Sequence, residues 1–467
     1  MNIKRYIKYS HHVPTWITPV AVFCLALAVR LIYNLTVARG YVAVYDAGQY
    51  ERIAQHLLNE HCFCDYNYLP TIERGPIWPA IIASVYFLFG PQNLYARLLL
   101  SLIGSGTCLI LYYFGKDLFK SKRYGLLAGS IGALYPGLFV YDGWLYSESV
   151  YTFLFLLCVY SLYRFQCTTQ RRWIITSGIA LALALLTRTN EIIAFGMIAS
   201  WALIVGYYTI VPRRTILFAS VGIALIAVVV ILPWSIRNYV VSHKIVPITT
   251  GGDIVLAGAY NDSVFNIPTL GNVGMWVTPQ QISPSVVYHW PCLGTCSDLW
   301  GEHPELKKAA VHWITTHLTL LPKLWLLHFW NIWVPGVPDG VFPFDQAPAS
   351  RHWSSYLIRL MIRRIPIWII LLAGCGTIVL WRTKWRDLLP IVLAIGWTIV
   401  QCILLYGSIR FRAPIEPMLV LLATGALIWG WTVTHRKVLH LPIQNSLKMR
   451  SSKSSLAVSP VTSPRSS

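Results

Sequence analysis

Apolar runs of about twenty residues recur along this chain, and that is the length an α-helix needs to cross the hydrocarbon core of a bilayer. Ten can be drawn, over 15–36, 94–114, 125–141, 147–164, 173–188, 192–211, 215–233, 366–381, 387–406 and 415–433. Composition agrees: of 467 residues 55% are apolar and 12% charged, with a mean hydropathy of +0.54. Soluble domains carry roughly 25% charge. The expected fold class is therefore an all-α multi-pass membrane protein of about ten spans, eleven if 311–334 also crosses. The first run, Trp16 to Leu35, is too long for a signal-peptide core and lacks a small-residue cleavage site, so it is read as a retained helix.

The net charge of +20 raises the question of nucleic acid, and its distribution answers it. With the N-terminus in the cytoplasm, Lys4, Arg5 and Lys8 fall inside, as do Lys116, Lys120, Lys122 and Arg123. So do Arg171 and Arg172, Arg213 and Arg214, and Arg382, Lys384 and Arg386. Every short connection on that side is basic, as the positive-inside rule requires. Of the 18 acids only Asp117 and Asp387 share that side. The positive charge orients the protein and implies no nucleic-acid partner.

Four units follow. Residues 1–233 form an N-terminal transmembrane module whose first outer segment is 37–93. An extracytoplasmic segment covers 234–365, C-terminal transmembrane helices cover 366–435, and a Ser-rich basic tail, expected to be disordered in the cytoplasm, covers 436–467. In the first outer segment Tyr50, Ile53, Ala54, Leu57 and Leu58 share one helical face, and "RGPIWPAIIASVYFLFG" reads as a short, partly embedded helix. The second outer segment has strand-like fragments such as "DIVLAG", which predict a small mixed region. Cys62, Cys64, Cys292 and Cys296 lie on the outer, oxidising side, where disulfides or free thiols are favoured over a metal site.

Asp46 stands just outside the first span in "VYDAGQYERIAQHLL". Its structural role would be a helix N-cap, as part of a near capping box with Gln49. A carboxylate at the rim of a bilayer helix is also a candidate general base. Glu73 and Glu148 are further candidate site acids, the latter also placed to complement a helix dipole. Tyr50 and Asp142 are candidate substrate-binding residues. Arg188, Arg237, Arg410 and Arg412 all fall at outer span boundaries. Snorkelling anchors are the ordinary fate of such arginines. Topology does not call for them on this side, however, and guanidinium forks bind phosphate through paired hydrogen bonds. A phosphate-binding rim is the preferred reading. Arg410 and Arg412 occupy alternate positions, so one of the two is expected to face the donor.

Taken together, "DAGQYERIA", "RGPIWPAIIASVYFLFG", "LTRTNE", "PWSIRNYVVSHKIVPITTGG" and "IRFRAPIEPMLVLLA" resemble the bacterial family 39 glycosyltransferases in order and spacing. These are relatives of protein O-mannosyltransferases and lipid A aminoarabinose transferases and have the GT-C membrane fold. The resemblance implies that the acid after the first span, here Asp46, acts at the catalytic centre. It also implies a sugar on a polyprenyl phosphate as donor. The family often has an Asp-Glu pair where this chain has Asp46-Ala47, which leaves a divalent metal an open question, and no other cofactor is implied. The outer segment holds nothing like the β-trefoil of the eukaryotic protein mannosyltransferases.

The expected function is transfer of a hexose or pentose, with inversion, from a polyprenyl-phosphate donor to a hydroxyl of a lipid, glycan or protein acceptor. The reaction would occur on the extracytoplasmic face of a cell membrane, the bacterial inner membrane foremost. A lipid phosphate is already a good leaving group, so one base and a set of cations suffice. A transporter or flippase of a lipid-linked sugar would want ionisable groups near the bilayer midplane. An O-antigen ligase or polymerase type of enzyme would lack the acid–tyrosine motif after the first span.

Overall fold

A computed structural model describes residues 16–65, 68–189, 191–208, 211–265, 273–277, 304–334 and 353–439. Cys292, Cys296 and nearly all of the C-terminal tail lie outside them. The regular structure among the described residues is helical, with one isolated bridge between Cys64 and Pro70. In chain order the helices are α1 (Ile17–Ile32), α2 (Asp46–Asn59), α3 (Ile77–Phe89), α4 (Asn93–Phe119), α5 (Lys122–Leu134) and α6 (Pro136–Phe139). Then come α7 (Glu148–Thr168), α8 (Arg171–Thr187), α9 (Glu191–Tyr208), α10 (Arg213–Ser242) and α11 (Gly252–Ala259). The C-terminal set is α12 (Pro304–Thr316), α13 (Leu321–Trp333), α14 (Trp353–Leu404), α15 (Ile409–Arg412) and α16 (Glu416–Leu439).

Six of the described helical segments are long and apolar enough to cross a membrane. A seventh crossing is available if α5 and the stretch Pro136–Gly143, bent by 65°, count as one broken span. The count differs from ten for local reasons. The two spans expected over 366–406 run together as α14, interrupted by non-helical backbone at Lys384. α8, with 17 residues, and the apolar part of α9, Ile193–Tyr208, are at the lower limit of a crossing length. The stretch 311–334 is divided between α12 and α13, of 13 residues each, neither of them long enough by itself to cross.

The spans pack through small residues. Gly115 faces Ala128, and Gly125 lies against the Tyr112 carbonyl and the Lys116 backbone, which brings α4 and α5 into close contact. α14 lies along α16 and α7 along α8. The expected strand "DIVLAG" is instead helix α11. Gly251, at φ 97°, starts it in the left-handed region that glycine tolerates, and its end seats Ala257 and Ala259 against α12. Tyr260 then donates to the Leu404 carbonyl at 2.6 Å, tying this segment to the end of α14.

Candidate active site

The chain enters α2 through a strained residue. Tyr45 has φ 52° and ψ −130°, and its backbone, not that of Asp46, occupies the N-cap position. Asp46 is the first helical residue and makes no capping hydrogen bond. The capping role expected for it is therefore not the one the structure gives, and its carboxylate is turned towards arginines.

Those arginines come from two other parts of the chain. Arg74 Nη2 lies 2.7 Å from Asp46 Oδ1, and Arg410 Nη2 lies 2.8 Å from Asp46 Oδ2. Arg410 also turns its Nε to Glu148 Oε1, the same oxygen that Arg188 contacts through Nη1. Three guanidiniums thus share two carboxylates, and one positive charge is left over within the ion-paired set. Burial alone would raise the Asp46 pKa, but Arg74 and Arg410 outweigh it and hold the carboxyl well below the usual range. Its side chain is still 27% exposed, so the cluster faces out of the bundle rather than lying sealed within it.

Local structure fixes each member. Arg74 is oriented by a 2.6 Å bond from Nε to Gln49 Oε1, and Gln49 in turn donates to Asp65 at 2.6 Å and to Glu73 at 3.3 Å. The next residue, Gly75, packs so tightly on the Leu186 carbonyl that a Cβ would drive into it. Glu148 opens α7, where an acid complements the helix dipole. The loop before it is held by Trp78 donating to the Leu145 carbonyl at 2.8 Å and by the Leu145 amide donating to Tyr41 at 3.2 Å. Ser408 caps α15 by accepting from the Arg410 amide, and the Arg410 guanidinium lies 4.3 Å from the centre of the Tyr146 ring. Arg188 caps the end of α8 and lies over Phe411.

Of the residues singled out from sequence, Asp46, Glu148, Arg188 and Arg410 are brought together. Tyr50 adjoins them, with its hydroxyl 3.4 Å from Ser147 Oγ and its ring beside Arg74. Glu73 is one step removed, on the Gln49 amide. The other three have partners elsewhere. Arg412 is buried against Glu416 at 2.6 Å and donates to the Ile332 carbonyl at 2.8 Å. Asp142 is buried against Arg30 at 2.6 Å. Arg237 lies within α10, which continues past Pro233, and it donates to the carbonyls of Thr71 at 2.7 Å and Phe63 at 3.2 Å. Sequence reasoning passed over Arg74, the neighbour of the candidate acid Glu73. It also passed over Gln49 as an orienting residue and Tyr146 as the ring beneath Arg410. The tyrosines of "YDGWLYSES" were the only signal for the last.

Among the described residues no group of three or more His, Cys, Asp or Glu side chains gathers to hold a metal ion. The residues of the cluster do not make a cation site of their own: the second acid position is Ala47, and Asp46 and Glu148 are both engaged by guanidiniums. Cys62 and Cys64 are joined as a disulfide.

Residues 73–234 match the family described as dolichyl-phosphate-mannose-protein mannosyltransferase. Among solved structures, the chain is similar to the oligosaccharyltransferase of Archaeoglobus fulgidus in its apo form, at 13% identity and a TM-score of 0.50. That alignment covers 92% of this chain and 52% of the other, so the chain spans about half the length of the archaeal enzyme. ArnT from Cupriavidus metallidurans, in a structure bound to undecaprenyl phosphate, aligns at 14% identity and a TM-score of 0.43, covering 88% of this chain and 77% of that one. No curated protein matches the chain. The family match and the shared fold bear out the resemblance to GT-C membrane transferases read from the sequence.

Proposed function

We propose that this membrane protein transfers a sugar from a polyprenyl-phosphate donor to an acceptor hydroxyl, with the arginine–carboxylate cluster as its active site. The observation that carries the reading is Arg410, one guanidinium bridging Asp46 and Glu148, flanked by Arg74 and Arg188. The matched family segment supports it, because 73–234 contains Glu73, Arg74, Glu148 and Arg188, and the family's description names a polyprenyl-phosphate sugar. Asp46 takes the proton of the acceptor hydroxyl. The acceptor oxygen attacks the anomeric carbon from the face opposite the phosphate, the bond from that carbon to the phosphate oxygen breaks, and the electron pair leaves on the phosphate. Arg410, Arg188 and Arg74 receive the developing charge, and anomeric configuration inverts.

The same geometry supplies an order of events. Without donor, the arginines suppress the basicity of Asp46. A phosphate that draws Arg410 away removes one of the two cations in contact with Asp46, so its pKa rises towards that of an ordinary carboxylate as the donor seats. The base is thus strengthened only when there is something to react with. On this reading the site lies on the extracytoplasmic face, opposite the basic connections, and the acceptor is a lipid, glycan or protein of the cell envelope. Incubating the purified protein in lipid with undecaprenyl-phosphate-linked hexoses and pentoses tests it. Release of undecaprenyl phosphate that depends on Asp46 and Arg410 is expected, and release that ignores both substitutions would overturn the assignment.

A further inference from the structure

Beside Glu148 a narrow cavity is lined by Arg30, Gly104, Thr107, Asp142, Glu148 and Ser149, among others. Four of these side chains each have a buried polar atom that no protein group meets in good hydrogen-bond geometry, Arg30 Nη2, Asp142 Oδ1, Glu148 Oε2 and Ser149 Oγ, although Ser149 and Asp142 lie near enough to interact and Cys108 lies beside Arg30. None of the four residues is more than 6% exposed. Native interiors pair the large majority of such atoms. Four around a single space point to a shared partner.

The charges say what kind. Arg30 and Asp142 neutralise each other through their remaining atoms, at 2.6 Å, and Glu148 is already matched by Arg188 and Arg410 through Oε1. Among the groups that line the space, none is left to oppose the charge of an added cation, and the surplus positive charge of the cluster is carried by arginines that do not line it. The orphan atoms are one donor, two acceptors and one hydroxyl that can be either. A small neutral molecule with both donors and acceptors fits them, and that molecule is water. Gly104 is part of the arrangement, since a Cβ there would enter the space held by the Asp142 carboxylate and the Arg30 guanidinium.

We propose that this cavity is an ordered-water site, and that Asp142 and Ser149 act through it as positioning residues for Glu148. The second half rests on the transferase reading above, and the first does not. Glu148 contacts both arginines through one oxygen, and the terminal torsion of a glutamate is broad. Holding the other oxygen through water fixes the carboxylate plane, and with it the directions of the Arg188 and Arg410 forks. The buried Arg30–Asp142 pair is then the fixed wall against which the active-site carboxylate is set.

An experimental structure of the lipid-embedded protein at a resolution that shows solvent tests the first half. Ordered density within hydrogen-bonding distance of Asp142 Oδ1 and Glu148 Oε2 is expected, and a dry cavity overturns the water site. Ser149→Val, which removes the hydroxyl and fills space, tests the second half. It is expected to raise the KM for an undecaprenyl-phosphate-linked sugar by about tenfold at a kcat within about twofold, with no further rise in a Glu148→Gln background. Ser149→Thr, which keeps a hydroxyl, is expected to retain the wild-type KM. A fall in kcat alone, effects that add to those of Glu148→Gln, or a Thr variant as impaired as the Val variant would overturn the positioning role. If the protein transfers none of the sugars offered, the affinity for undecaprenyl phosphate, followed by tryptophan fluorescence, replaces KM in the same comparison. The failure of the transferase reading thus stays separate from that of the water site.

Discussion

Arg410 and Arg412 are two residues apart, yet the structure gives them different work. Ser408 starts the short helix α15 so that Arg410 turns to Asp46 and Glu148, while Arg412 turns inward to Glu416. Replacing Arg410 by Lys keeps the charge but loses the fork that spans two carboxylates. Arg410→Lys is expected to lower kcat/KM for a polyprenyl-phosphate sugar by about 100-fold with a thermal midpoint close to wild type. Asp46→Asn should lower kcat by at least about 100-fold. Because Asp46 does not cap α2, this substitution tests the carboxylate without removing a cap. The pH dependence follows from the sign of its shift. A carboxylate held below its ordinary value contributes stability that is present above that value, about 3.9, and is lost as pH falls through the folded value. The free protein should therefore show no acid limb from Asp46 in kcat/KM near neutrality. Once donor draws Arg410 away, the limb in kcat should sit at higher pH than that in kcat/KM, and measuring both profiles checks this. Asp46, Glu148, Arg188 and Arg410 could be read from sequence because each is a charge at the rim of a span, where topology does not require one. Arg74 could not, because its partners are set by how the loop at Gly75 folds back on α8.

The loop between α2 and α3 is built by contacts that no local pattern announces. Arg237 reaches from α10 to the carbonyls of Thr71 and Phe63, with its guanidinium 4.8 Å from the Trp234 ring centre. It holds the loop that carries Glu73 and Arg74, which is a different task from holding a phosphate. Arg237→Lys offers one point charge for two carbonyls and is expected to loosen that loop. Hydrogen exchange at 68–74 should rise, and activity should fall several-fold at unchanged donor affinity. Deeper in the bundle, Arg412, Glu416 and Tyr135 form a buried set joining α15, α16 and the start of α6, with Tyr135 donating to Glu416 at 2.8 Å. Removing the guanidinium strands a buried carboxylate, so Arg412→Ala should cost about 3–5 kcal/mol and lower the midpoint of thermal unfolding in lipid. Arg412→Ala with a midpoint like wild type would show that Tyr135 alone suffices to hold Glu416. At this scale the sequence was most legible where periodicity decides. The buried face of α2, the short helix α3 and the long spans follow their apolar patterns. It was least legible in "DIVLAG", where alternation suits a strand, but a left-handed glycine and packing against α12 select a helix.

Seen as a whole, the molecule has two ends. At one, Asp46, Glu148, Arg188 and Arg410 meet, and the contacts of Tyr260 with the Leu404 carbonyl and of Arg412 with that of Ile332 bring the end of α11 and the end of α13 to the same side. At the other, Asp117 pairs with Arg164, Lys384 donates to the Leu118 carbonyl at 2.6 Å and Gln166 donates to that of Arg386 at 2.6 Å. α7 runs from one end to the other. Its 21 residues at 1.5 Å each make about 31 Å, close to the thickness of a bilayer's hydrocarbon core. Basic connections read from the sequence lie at the Asp117 end, and on the function proposed above the positive-inside rule would put that end in the cytoplasm and the arginine–carboxylate site on the opposite face. Cysteine labelling in intact cells tests this, in a background with the exposed Cys24, Cys167 and Cys375 replaced by Ser. Val42→Cys and Val273→Cys lie at exposed positions on the site side, and Arg382→Cys lies at an exposed position on the other. An impermeant maleimide is expected to modify the first two from outside and the third only after permeabilisation. Labelling of Arg382→Cys from outside, with Val42→Cys protected, would place the site in the cytoplasm. The donor would then have to be presented from the inner leaflet, and the excess of basic residues at the Asp117 end would need a cause other than membrane orientation.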